Sequence, residues 1–186
     1  NCGGPSIESG GAKSYGASLM KEPDLTARLL EAIRTGIVHG STATCTSMDA
    51  ASSDSIGVSL KCRIGVYDTP EDMLAAAVSR SDDAMFAYEK LHQYITRAEQ
   101  SDAGLSHVIL HARPAVLSGM SPTKNRQIPA LNYEIVHQIS RDFPGLDVTL
   151  NGGIQGLHDL RKLSDDRFVI SGSDDDDDDQ RQQRKT

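Results

Sequence analysis

Short apolar runs alternate along this chain with longer stretches of helical periodicity, and that alternation limits the folds open to it more than any other feature. Residues 56–62 (IGVSLKC), 105–111 (LSHVILH), 146–150 (LDVTL) and 168–170 (FVI) read as strands, and the segments between them place apolar residues at helical spacing. The resulting order, β-α-β-α-β-α-β, requires a parallel sheet covered by helices, because parallel neighbours need a crossover long enough to hold one. A (βα)8 barrel is favoured over an open sheet, since no GxGxxG follows a first strand.

The helices carry their own punctuation. Residues 23–34 (PDLTARLLEAIR) place Pro23 in the first turn and Leu25, Leu29, Leu30 and Ile33 on one stripe. Thr69-Pro70-Glu71-Asp72 reads as an N-cap followed by proline and acids, opening a helical region that runs to about Asp102, with an interruption around 79–83. Its expected inner face is Phe86, Leu91, Ile95 and Ala98, and Gly104 suits the position after its end. Residues 133–143 form the next expected helix, stopped by Pro144-Gly145, and Leu157, Leu160 and Leu163 suggest a short one. Residues 41–55 hold five Ser and three Thr without apolar periodicity, which predicts a flexible surface insertion.

Composition narrows the classes. At 186 residues and 38% hydrophobic content, the chain can bury a real core, and no apolar run approaches the roughly 18 residues of a membrane span. Cys2, Cys45 and Cys62 are odd in number and unevenly spaced, which suggests neither a disulfide framework nor a zinc cage and points to a reducing compartment. His107 and His111 stand four apart but lack the Glu of an HExxH helix, so no metal site is expected. Residues 174–179 are six aspartates and 181–185 return three positive charges, so the net charge of −7 leaves the first 173 residues at −4. Any nucleic-acid contact must then come from a local basic patch rather than a global field.

The residues just past each strand carry the chemistry. Lys61 and Arg63, then His111 and Arg113, then Asn151-Gly152-Gly153 cluster at carboxyl ends, the edge where loops of barrels and open α/β sheets converge on ligands. Asn151-Gly152-Gly153-Ile154 lies between strand and helix, where side-chain-free residues let N–H groups approach a phosphate; a tight turn needing positive φ explains the same glycines. Lys61 is an ammonium near the end of an apolar strand, aimed at an anion or an electron-rich ring, or else snorkelling from the rim. Residues 112–129 (ARPAVLSGMSPTKNRQIP) form a long strand-to-helix connection that groups Arg113, Lys124 and Arg126, bases able to grip phosphates or a uracil edge.

The runs NCGGPS, YGASLM, VSLKCRIG, VILHARPAVLSGMSPTKNRQIPALNYEIV and RDFPGLDVTLNGGI, in that order, strongly resemble the tRNA-dihydrouridine synthases, in particular the bacterial-type subgroup acting on uridines 20 and 20a. The resemblance spans roughly residues 1–163, with insertions near 41–55 and 75–90. It implies an FMN-binding TIM barrel, present here only in part from about strand four onward, and a separate helical tRNA-binding domain outside this chain. It also implies NADPH as reductant, hydride transfer from the flavin to an extruded tRNA uridine, and a cysteine acid. By the same resemblance Lys61, His111, Asn151, Gly152 and Gly153 match cofactor positions, and Asn1, Arg63 and Arg126 match positions around the target base, to which Arg113 is added from its loop.

The chain also departs from that pattern. Gly4 stands where the family has its acid cysteine, and glycine cannot donate a proton, so no catalytic acid is assigned. Where the family places Gly-Arg for the FMN phosphate, Ser171-Gly172-Ser173 and then the aspartates follow, and an anionic run repels phosphate. The expected organisation is a partial barrel domain over 1–170 and a disordered acidic tail over 171–186. A partial barrel exposes sheet edges, so this chain alone is expected to be marginally stable, to bind FMN weakly and to show little or no synthase activity. The alternatives are a catalytically inactive tRNA-binding paralogue and a fragment of a longer gene. The expected partner is tRNA, with no membrane and no metal, and the expected compartment is the cytoplasm, with mitochondrion and plastid as other places that contain tRNA.

Overall fold

A computed structural model describes residues 16–44, 56–78 and 82–169. Contacts divide the chain into two compact units, Asn1–Gly152 and Gly153–Thr186.

The first unit is built on a parallel three-stranded sheet of β1 (Val58–Arg63), β3 (Leu105–His111) and β5 (Asp147–Asn151), in the order β1-β3-β5. These are the first three strands expected from the sequence, each within two residues at either end. Helices supply the crossovers: α2 (Pro70–Val78) and α3 (Asp82–Glu99) between β1 and β3, and α4 (Tyr133–Asp142) between β3 and β5. Helix α1 (Pro23–Thr44) precedes β1, after a 3₁₀ turn over Gly16–Lys21.

Alternation along the strands separates two faces. Val58, Leu60 and Cys62 of β1 and Val108 and Leu110 of β3 are buried in one cluster with Leu30, Leu91, Tyr94, Ile95, Ala98, Val136, Ile139 and Phe143. That is the helix-covered core. Val108, Leu110, Ile95 and Ile139 have no exposed surface; each such side chain contributes about 1.5–3 kcal/mol of transfer free energy. The Tyr94 hydroxyl donates to Thr26 Oγ1 at 3.4 Å, and burial pushes its pKa up.

The local signals hold at several ends. Asp72 N–H donates to Thr69 Oγ1 at 3.2 Å and Thr69 N–H donates to Asp72 Oδ2 at 3.0 Å, a reciprocal box around Pro70 in the first turn. Gly104 sits at φ 63°, the left-handed conformation that follows a helix end. Asn132 caps α4 by accepting from Ile135 N–H at 3.2 Å.

Several expectations are corrected. Helix α1 continues through Thr44, so residues 41–44 are helical rather than the start of a flexible insertion, and 45–55 lie outside the described residues. Gly36 and Gly40 lower helix propensity by about 1 kcal/mol each but break no hydrogen bond, and no proline intervenes. On α1 the buried positions are Thr26, Ala27 and Leu30, whereas Leu29 and Ile33 are exposed. The apolar stripe is therefore only partly covered among the described residues.

The strand expected at 168–170 is not formed: Phe168 and Val169 belong to α5 (Leu157–Val169), the helix of the second unit, and Ile170 lies outside the described residues. A three-residue apolar run cannot distinguish strand from helix, and between Leu163 and Phe168 no Gly or Pro stops the helix. Sequence periodicity also missed β2 (Val66–Tyr67) and β4 (Ala115–Val116), which pair parallel to each other. Two residues are too few to show a period. No closed barrel is formed among the described residues; the observed architecture is an α/β fold with parallel strands. The junction at 79–81 and the tail at 171–186 fall outside what the structure describes, and Phe86 is a residue of α3.

Candidate functional site

The second sheet face is polar. Register pairs Ser59 with His107 and His107 with Asp147, Lys61 with Ile109 and Ile109 with Thr149, and Arg63 with His111 and His111 with Asn151. Eight of these nine side chains are polar or charged, so this face cannot serve as a second hydrophobic core. His107 Nε2 and Thr149 Oγ1 share a hydrogen bond at 2.8 Å in its middle.

Parallel register brings Arg63, His111 and Asn151 into one row at the carboxyl ends of the three strands. Lys61, two residues earlier on the same face as Arg63, extends its Nζ to donate to Asn151 Oδ1 at 3.0 Å. Four cations act on His111: after burial, the largest cause, Arg63, Lys61, Arg113 and Arg126 all push its pKa down, to about 4. His111 is therefore neutral across the physiological range, and one of its ring nitrogens is left able to accept a hydrogen bond. A neutral imidazole ringed by cations is the electrostatic signature of a place that attracts an anion or an electron-rich carbonyl.

The arginines differ in how they are held. Arg63 is only 6% exposed, and its Nη1 donates to the carbonyls of Pro114 and Asn125, each at 3.3 Å. Arg113 Nη1 donates to the carbonyls of Gln127 and Pro129, so it braces the far end of the long loop. Arg126 and Lys124 are exposed on that loop.

The sequence reading missed what organises the loop. β2 and β4 fasten its start, with Ala115 N–H donating to the Gly65 carbonyl at 2.8 Å and Leu117 N–H to the Tyr67 carbonyl at 2.9 Å. Asn125, which lies between the two bases Lys124 and Arg126, is buried and accepts from Val116 N–H at 3.0 Å. Its only sequence signal is its small amide in a stretch rich in turn residues. Tyr133, the first residue of α4, was likewise overlooked; its hydroxyl donates to the Gly152 carbonyl at 3.1 Å.

Gly152 sits at φ 98°, and a Cβ built there would lie 2.6 Å from His111 Cδ2 and 2.7 Å from Nε2. Of the two sequence explanations for this glycine, the demand for positive φ is met, and the neighbouring imidazole adds a second demand. Gly153, at φ 76°, opens the second unit. In that unit Asp159 accepts from Gln155 N–H at 2.8 Å, which, together with its other contacts, holds its carboxyl below the usual range. Asn1 and Gly4 lie outside the described residues.

Among the described residues no group of three or more His, Cys, Asp or Glu side chains is arranged to hold a metal ion, and no helix is long and apolar enough to cross a membrane.

Known proteins share this sequence pattern. The family model described as dihydrouridine synthase matches residues 1–169. Among curated proteins the chain is similar to the tRNA-dihydrouridine(20/20a) synthase of Pasteurella multocida, 34% identical over 80% of this chain and 35% of that protein. It is likewise similar to the enzymes of that name from Vibrio cholerae, 34% identical over 79% of the chain, and Xylella fastidiosa, 35% identical over 83%; each match covers 35% of the relative. The chain thus spans about a third of the length of the curated relatives it matches. With a family match over nearly its whole length and relatives at about a third identity, the chain belongs to the dihydrouridine synthase family.

Proposed function

We propose that this chain carries part of the flavin and substrate site of an enzyme that reduces uridine to dihydrouridine in the tRNA D-loop, with FMN as cofactor and NADPH as reductant. One observation carries the reading: Lys61, Arg63, Arg113 and Arg126 converge electrostatically on a neutral His111, with Asn151 bonded to Lys61, at the carboxyl ends of three parallel strands. That edge is where ligands bind in folds of this class.

FMN brings a phosphate and a ring edge rich in carbonyls, and the donors gathered here fit such a group: an ammonium, a neutral imidazole, an amide and guanidinium groups. When bound, FMN reduced by NADPH supplies a hydride to C6 of the uridine ring. Lys61, His111 and Asn151 bind and orient the flavin, with the Lys61 charge stabilising negative charge on the ring. Gly152 keeps the approach to the His111 ring clear. Arg126, exposed on its loop, and Arg113 and Arg63 behind it present positive charge to the extruded base and its flanking phosphates. Residues 1–170 are read as part of a barrel domain of a tRNA-modifying enzyme and 171–186 as an acidic tail, with the cytoplasm as the compartment.

The test is flavin retention. Excess FMN is added to the purified chain, unbound flavin is removed, and the absorbance spectrum is recorded. Retained, red-shifted flavin supports the reading, and Lys61→Met should weaken it by about tenfold or more, the worth of a charge-assisted hydrogen bond. Flavin retained equally by the unsubstituted chain and by Lys61→Met refutes it, whereas complete loss of flavin means that this chain by itself lacks a working cofactor pocket.

Gly4 favours a second reading, a tRNA-binding paralogue without catalysis, because glycine offers no proton for C5. Uridine reduction restored by Gly4→Cys in a completed chain supports the enzyme; tRNA binding without reduction in that completed variant supports the paralogue.

A further inference from the structure

We propose that Asn125 is a positioning residue of this site: its buried side chain fastens the long loop to the β4 backbone and thereby places Arg126 and one of the two carbonyls that hold Arg63 next to His111. The inference rests on the reading of this strand-end cluster as the functional site.

Asn125 lies in a 3₁₀ turn over Lys124–Arg126 and is 8% exposed, whereas Lys124 and Arg126 on either side are exposed. Its Oδ1 accepts from Val116 N–H at 3.0 Å, and its Nδ2 donates to the Val116 carbonyl. One side chain thus gives Val116 the two bonds that a neighbouring strand would give. Only a planar amide offers a donor and an acceptor side by side; serine offers one atom, and aspartate would set a charge against the Val116 carbonyl.

The consequence reaches both arginines. The Asn125 carbonyl accepts from Arg63 Nη1 at 3.3 Å, so the residue that locks the loop supplies one of the two carbonyls that hold the guanidinium at the end of β1, the other being that of Pro114. Arg126 is the next residue, and its backbone leaves from the same anchored point. The turn is closed locally by Asn125 N–H donating to the Ser121 carbonyl at 2.9 Å and Lys124 N–H to Ser121 Oγ at 3.3 Å, but these bonds lie within the loop and do not tie it to the sheet. Arg113 holds the far end through Gln127 and Pro129, and Lys61 is placed by its strand and by Asn151, so neither depends on Asn125. Releasing Asn125 therefore lets Arg126 move away from His111 and loosens Arg63, which strand β1 and the Pro114 carbonyl still hold, while Lys61 and Arg113 stay in place.

The readout is the imidazole titration of His111, followed by NMR in the full chain and assigned by loss of the signal in His111→Gln. Asn125→Ala should raise the His111 midpoint by about half a unit or more, because removing like charge from a nearby base eases its protonation. Gln127→Ala, which alters an exposed side chain of the same loop, should leave the midpoint unchanged. FMN retention should fall in Asn125→Ala, with Lys61 and His111 intact. If Asn125→Ala does not fold, Asn125→Ser, whose single hydroxyl cannot replace both bonds, gives a shift in the same direction. A folded variant with an unchanged His111 midpoint overturns the proposal, even if its thermal stability drops, since a merely structural asparagine would do just that. The outcomes also separate the two readings. Flavin retention indifferent to Lys61→Met together with the His111 shift removes the flavin reading and keeps the positioning role; Lys61-dependent flavin retention with an unmoved midpoint removes the positioning role alone.

Discussion

Replacing Gly152 by alanine tests whether the glycine after β5 is there for the imidazole beside it. Two costs are expected. At φ 98° an L-residue is strained, by about 1–2 kcal/mol. The new Cβ would also meet His111 Cδ2 at 2.6 Å and Nε2 at 2.7 Å, when ordinary contact begins near 3.4 Å, so the ring or the strand end must shift by several tenths of an ångström. Overpacking of this kind costs about 1–3 kcal/mol, giving about 2–5 kcal/mol in total. Gly104→Ala separates the two terms, because that glycine has φ 63° with nothing within 4 Å of a built Cβ and so carries strain alone. The assay is urea unfolding of both variants, with the His111 titration recorded on each. Gly152→Ala should lose at least about 1 kcal/mol more than Gly104→Ala and displace the His111 midpoint. Equal losses in the two variants, with His111 unmoved, would refute the claim that the imidazole dictates this residue.

Other consequences arise from the same contacts. His111, with its pKa lowered to about 4, resists protonation in the folded state, so its contribution to stability is present above the unfolded value near 6.5 and is lost as pH falls from there to about 4. Undiscounted, that shift would be about 3 kcal/mol; for a half-buried ring, screening reduces it to about 1–2 kcal/mol, and urea midpoints between pH 7 and 4 should show the decline, flattened in His111→Gln. Thr69→Ala removes one half of the box that opens α2 and should cost about 1 kcal/mol in thermal or denaturant unfolding. Leu110→Ala, at a position with no exposed surface in the middle strand, should cost about 2–5 kcal/mol, and a smaller loss would mean the core under the helices is not packed as described.

How much of this is legible in the residues alone depends on the range of the interaction that decides it. Strands β1, β3 and β5, the Thr69 cap, the αL glycine at 104 and the buried Leu91, Ile95 and Ala98 all follow from neighbours a few residues apart, and periodicity or capping chemistry displays them in one dimension. The same holds for the strand-end residues Lys61, Arg63, His111 and Asn151, because a polar group after an apolar run marks the edge of a parallel sheet wherever the strands lie. The fate of Phe168 and Val169 was not legible, since a three-residue apolar run fits either helix or strand until packing chooses. Nor was the pairing of β2 with β4, two residues meeting two residues across about fifty positions of chain. Family membership, too, is carried by the order of the motifs themselves.

Residue order alone thus specifies most of the elements, the sheet edge where the polar residues gather and the residue types found there. Their relations are settled in three dimensions. Parallel register set Arg63, His111 and Asn151 in one row, the Asn125 amide joined the loop to β4, and Gly152 cleared room for an imidazole that burial and four cations keep neutral. The physical reason is that hydrogen bonds and charge interactions between residues as far apart as 62 and 90 positions depend on distances in space, and no local pattern records them.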